Sequence, residues 1–166
     1  MHKRSKQGKL IAHLPKIHPR LFLGNRRSVD RLAKRFPYID ASMCVAKGNT
    51  CDYEDFCPVD QCSSEEARDS VNITVQEVDA FTRRAAEQIH EIMDTQDMNL
   101  LVHCRAGRNR SVAAIVRYAT RYKHLDPGLV IDYIREQNLK QRGMPRRYTM
   151  SNPLFEHVLM GIGAGS

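Results

Sequence analysis

Apolar positions along this chain follow two periods. From Val78, the residues Val78, Phe81, Ala85, Ile89 and Ile92 advance by threes and fours, so "VDAFTRRAAEQIHEIM" predicts an amphipathic helix with its arginines and glutamates outward. "NLLVH" (99–103) is an apolar run too short for a helix and predicts a buried central strand. A helix follows from about Ser111 through Val112, Ile115, Val116 and Ala119. Asp126-Pro127 and Asn152-Pro153 each set a capping side chain before a proline that can start a helix. The first of these helices carries Leu129, Val130, Tyr133 and Ile134 as its apolar stripe, and the second carries Leu154, Phe155, Val158, Leu159 and Ile162. Upstream, "RLFLGN" (20–25) and "YIDASMCVA" (38–46) read as strands, and "SVDRLAKRF" (28–36) reads as a short helix with Ser28 at its N-cap. "GNTCDYEDFCPVD" (48–60) reads as a turn followed by a weaker extended segment. Strands alternating with helices predict an α/β domain: a central, mostly parallel β-sheet flanked by helices.

Length and composition fit one such domain. The 166 residues divide into a basic arm over 1–17, a domain over 18–162 and a Gly-rich flexible tail over 163–166. The arm is available for pairing with a second subunit. Its cations lack a long apolar run, so no secretory signal or transmembrane span is expected, and the reading is cytoplasmic, with a nuclear or virion location compatible. The cysteines Cys44, Cys51, Cys57, Cys62 and Cys104 are odd in number, which fits a reducing compartment better than a disulfide framework. Cys51, Cys57 and Cys62 match no common zinc spacing, so no metal and no cofactor are expected. The net charge of +7 favours anionic partners, but residues 48–67 hold six carboxylates and no Lys or Arg, against nucleic acid wrapping all round.

The chemistry concentrates in "HCRAGRNRS" (103–111). A strand enters and a helix leaves, so the backbone N–H groups of residues 105–110 collect at a helix N-terminus, where unpaired donors and the dipole attract anions. Gly107 permits a turn with positive φ, and Arg110 supplies a two-pronged guanidinium over the same centre. A thiol placed there is acidified by the helix terminus, the amides and the arginines, which makes Cys104 a candidate nucleophile. The plainer alternative is a core cysteine after an apolar strand. It leaves Arg105, Arg108 and Arg110 crowded beside the thiol without purpose.

His103, Cys104, Arg110 and Ser111 form H-C-x5-R-S, which resembles the signature of the cysteine-based protein tyrosine phosphatases. "RLFLGN", the helix from Val78 and "NPLFEHVL" (152–159) resemble the opening strand, pre-signature helix and closing helix of the dual-specificity class, over about residues 18–160. The short length is similar to compact members, virus-encoded ones among them. The resemblance implies that Cys104 forms a phosphocysteine without metal. Arg110 and the loop 105–109 (Arg105, Ala106, Gly107, Arg108, Asn109) then hold the phosphate oxygens. Ser111 assists the thiolate as leaving group, and His103 braces the loop and lowers the thiol pKa; the plainer alternatives are an N-cap serine and a core histidine. It also implies a general acid on a loop upstream of the nucleophile: Asp69 fits that place best, ahead of Asp60 and Asp79, although its separation from Cys104 is slightly long for the class. Asn109 stands where many members have serine or glycine, to bond within the loop or to the turn at Asn25. Asn25 either braces the loop from behind or is a plain turn residue.

The implied function is dual-specificity protein phosphatase, acting on phosphotyrosine and phosphoserine/threonine. Arg105 and Arg108 depart from most protein-directed members, and Lys140, Arg142, Arg146 and Arg147 extend a basic rim. That pattern keeps two alternatives open with the same cysteine chemistry: a phosphoinositide or phospholipid phosphatase, and an RNA 5′-triphosphatase. Against RNA, the loop lacks the Thr-His and Thr-Gly pairs those enzymes tend to show, and there is no tryptophan to stack a base. A non-catalytic phosphate-reading module is the remaining alternative.

Overall fold

The computed structural model describes residues 10–29, 31–45, 74–104, 107–162 and 165–166. Four strands form one mixed sheet in the order β1-β2-β4-β3: β1 (Ala12–His13), β2 (Leu21–Gly24), β3 (Ala41–Cys44) and β4 (Leu100–His103). β2 and β3 both run parallel to β4, so Gly24, Cys44 and His103 end in register at one edge, while β1 is antiparallel to β2. Alternation sorts the side chains. Leu21, Leu23, Leu100 and Val102 join the main core, and Phe22 and Leu101 join a smaller cluster with Ile11 and Phe36 on the opposite face.

The helices are α1 (Arg26–Val29), α2 (Leu32–Arg35), α3 (Val75–His90), α4 (Arg110–Tyr122), α5 (Pro127–Arg142) and α6 (Pro153–Met160). α3 continues into a wider π-type turn, Glu91–Thr95. α3 starts three residues before Val78 because Thr74 and Glu77 form a reciprocal capping box. α4 packs against α3, α5, α6 and β4, and its residues 110–120 are all buried. Among the described residues no helix is long and apolar enough to cross a membrane.

Several expectations are corrected. The segment read as the end of a basic arm contains β1, and Ile11, Ala12, Leu14 and Ile17 are buried; its apolar residues outweigh its charges. Residues 28–36 are broken into α1 and α2, with Ser28 buried inside α1 and no N-cap. Asn25 accepts the Ser28 N–H at 3.0 Å instead. On α5 the buried face runs Pro127, Val130, Ile131, Ile134, Asn138 and Arg142, so Leu129 points outward at 72% exposure and Ile131 takes its place. At the tail, the Ser166 carbonyl accepts from Arg117 and Arg121 and Gly165 N–H donates to Thr120, docking the last residues on α4.

Candidate active site

The loop between β4 and α4 opens at the carboxyl edge shared by the three parallel strands, where α/β folds place ligands. Cys104 follows the last strand residue and is 3% exposed. Its Sγ lies 3.2 Å from Ser111 Oγ in the first turn of α4. His103 is fully buried, and its Nδ1 sits 3.2 Å from the Cys104 carbonyl oxygen, which can only accept, so Nδ1 carries the proton. Arg110 opens α4 at 1% exposure. Gly107 has φ +67°, and a Cβ there would meet the Gly24 carbonyl oxygen at 2.4 Å. Only glycine fits so close to β2.

A strap after α5 holds the loop from outside. Met150 N–H donates to the Arg108 carbonyl at 2.7 Å, and Asn152 N–H donates to Asn109 Oδ1 at 2.9 Å. Asn109 Nδ2 also reaches Ser151 Oγ. Asn109 therefore bonds the strap, not Asn25. The Asn25 side chain accepts from the Ser28 N–H and hydroxyl, an N-cap contact to the first turn of α1 that fixes the chain leaving β2. Arg135 anchors the strap in turn, donating to the Thr149 and Met150 carbonyls.

The basic rim is smaller than the sequence implied. Arg108 Nε donates to the Tyr148 carbonyl at 3.0 Å, and its guanidinium lies over the Tyr148 ring, as does that of Arg147. Arg146 pairs with Asp132 and Glu136, and Lys140 with Glu136. Arg142 is 8% exposed and lies under the loop, with Nη1 donating to the Gly107 carbonyl at 3.0 Å and to Asn138 Oδ1 at 3.1 Å. Burial pulls its guanidinium down to about 10, against the opposing pull of Cys104, and leaves it charged at neutral pH. The sequence reading placed Arg142 on the surface. A signal was present: Ile134, Asn138 and Arg142 continue one helical face at four-residue steps.

Asp69 and Asp60 lie outside the described residues, as do Arg105, Ala106, Cys51, Cys57, Cys62 and the segment 48–60. Asp79 is inside α3, bonded to Arg83 and Arg117. Among the described residues no group of three His, Cys, Asp or Glu side chains is placed to hold a metal ion.

No protein-family model matches the sequence. Solved structures do match the fold. Human DUSP28 aligns with a TM-score of 0.58 at 18% identity, over 91% of this chain and 90% of that one. The Cydia pomonella PTP-2 phosphatase aligns at 0.58 and 15% identity, over 92% and 90%. The Orf virus tyrosine phosphatase OH1, described as having triple substrate specificity, aligns at 0.53 and 16% identity, over 88% and 83%. The chain thus has the mixed α/β fold of these phosphatases.

Proposed function

We propose that this chain, which carries the dual-specificity phosphatase fold, is a cysteine-dependent phosphatase of phosphorylated proteins, acting on phosphotyrosine and phosphoserine/threonine. One observation carries the reading: a nearly buried Cys104 thiol 3.2 Å from Ser111 Oγ, at the N-terminus of the helix that Arg110 begins. In the first step the Cys104 thiolate attacks phosphorus, the S–P bond forms, the ester P–O bond breaks, and Asp69 gives its proton to the leaving oxygen. Arg110 and the loop amides hold the remaining oxygens as charge redistributes. In the second step Asp69 takes a proton from water, the water oxygen bonds phosphorus, and the thiolate departs with Ser111 donating to it. His103 holds the Cys104 carbonyl and keeps the nucleophile at the strand end.

Protein substrates are favoured over lipid or RNA because the basic rim is thin: Arg142 is buried, and Arg146 and Lys140 are paired with carboxylates. The test is phosphate release by wild type and Cys104→Ser from phosphotyrosine and phosphothreonine peptides, phosphoinositides and 5′-triphosphorylated RNA at one salt concentration. The expected result is turnover of the peptides by wild type alone, with Cys104→Ser still binding phosphate. Preference for lipid or RNA would overturn the substrate, and substantial turnover by Cys104→Ser would overturn the mechanism. Asp69→Asn is expected to lower kcat by about 10²-fold or more on esters with poor leaving groups and by less on good ones. An equal loss on both classes would remove Asp69 from the role.

A further inference from the structure

Arg142 is a charged side chain beneath the loop that the chemistry above does not use. A buried guanidinium is expensive, since several kcal/mol of hydration are lost when such an ion leaves water. Two of its bonds, to Gly107 O and Asn138 Oδ1, are to uncharged oxygens, and the charge of Cys104 acts on it. Both terminal nitrogens lie 2.8 Å from where a Gly107 Cβ would stand, so the fork is pressed against the loop backbone.

The peptide plane gives that contact a consequence. In a trans peptide the C=O and the following N–H point in opposite directions. Holding the Gly107 oxygen down toward Arg142 turns the Arg108 N–H to the other side of the loop. Without the donor below, that peptide is free to flip its oxygen, a partial negative charge, toward a bound anion. The charged or ionisable side chains on the described residues around the loop are His103 on β4, Arg108 in the loop, Arg110 on α4 and Arg142 on α5. Of these, Arg110 is assigned to the substrate oxygens, Arg108 is bonded to the strap, and His103 gives its Nδ1 proton to a carbonyl.

We infer that Arg142 is a positioning residue of the thiolate site, holding the Gly107 carbonyl away from the anion position and supplying a fixed, buried positive charge to Cys104. This rests on Cys104 being the nucleophile. The experiment reads the thiol directly and needs no substrate. Wild type, Arg142→Gln and Arg142→Lys are treated with iodoacetamide from pH 4.5 to 9, and modification of the Cys104 peptide is quantified by mass spectrometry, with circular dichroism melts as the folding control. Arg142→Gln keeps an N–H for the Gly107 carbonyl and loses the charge; its alkylation midpoint is expected to rise by about one pH unit, a tenfold loss of thiolate below the midpoint. Arg142→Lys keeps the charge and loses the fork; its midpoint is expected to stay near wild type, while inorganic phosphate protects Cys104 at least about fivefold less well.

A folded Arg142→Gln with the wild-type midpoint would overturn the charge role, and unchanged phosphate protection in Arg142→Lys would overturn the loop role. If Arg142→Gln does not fold, the phosphate protection of Arg142→Lys decides. A wild-type midpoint near the ordinary thiol value of about 8.5 would sink the nucleophile reading itself. An acidic wild-type thiol that neither variant disturbs would sink only the inference.

Discussion

Gly107 shows how narrowly the loop is specified at the level of one residue. Its φ of +67° lies where a side chain is strained, and an added Cβ would be 2.4 Å from the Gly24 carbonyl oxygen, which is backbone and cannot swing away. Gly107→Ala is therefore expected to cost about 1–3 kcal/mol in urea unfolding and to displace the loop from β2. Phosphate binding should fall by more than the stability loss explains. A variant with wild-type stability and phosphate affinity would show that the loop tolerates a shift away from Gly24. At this scale the candidate site was legible as a local arrangement: His103, Cys104, Gly107, Arg110 and Ser111 are close in sequence, so the strand-loop-helix reading brings them together without long-range information. Arg142 and the strap were not, because they reach the loop from 35 to 43 residues further on.

Among the elements, α5 separates what periodicity predicts from what packing selects. "GLVIDYI" offers adjacent apolar pairs, and the sequence reading chose Leu129, Val130, Tyr133 and Ile134. The helix turns so that Ile131 is buried and Leu129 is exposed. The rotation brings Asn138 and Arg142 beneath the loop, on the same face as Val130 and Ile134. Leu129→Ala is expected to change stability by no more than about 0.5 kcal/mol. Ile131→Ala is expected to cost about 2–5 kcal/mol, read as a shift in urea midpoint at constant slope. The reverse ranking would mean that α5 is rotated from the position described. α4 carries a related lesson: its apolar stripe predicted one buried face, but α3, α5 and α6 enclose it and even Arg117 is buried, bonded to Asp79 and Thr82.

Across the whole molecule, Asp94 ties the far side of the domain together. Its carboxylate accepts from His18 before β2, His90 on α3, and Tyr118 on α4, and Lys123 lies 3.4 Å away. Burial alone would raise its pKa, but the Tyr118 hydroxyl, His90, Lys123 and His18 together hold it below the ordinary 3.8. For His18, burial outweighs the attraction of Asp94 and pulls the pKa below 6.5, so at neutral pH their contact is a hydrogen bond from a neutral ring and not an ion pair. Both depressed values act in one direction. The unfolded chain takes up protons first, so stability present at neutral pH is lost as pH falls below 6.5 through the folded pKa of His18, and again below 3.8 for Asp94. Urea midpoints measured from pH 7.5 to 4.5 should fall for wild type and fall less steeply for His18→Gln. Equal slopes would remove His18 from the acid response.

The sequence by itself determined the α/β order, the capped starts of α5 and α6, the helix through Val78 and Ile89, and the place of the loop between β4 and α4, because each is written in local periodicity, capping side chains or a motif a few residues long. It also named Cys104, Arg110 and Ser111 as one cluster. Tertiary structure decided the rest: β1 as an edge strand, the rotation of α5, the docking of Asn109 onto the strap and the burial of Arg142 under Gly107. Those outcomes depend on which surfaces meet across long separations. Charged and polar residues that finish a buried helical stripe are assigned by composition to the surface, and only packing reveals that they hold the loop.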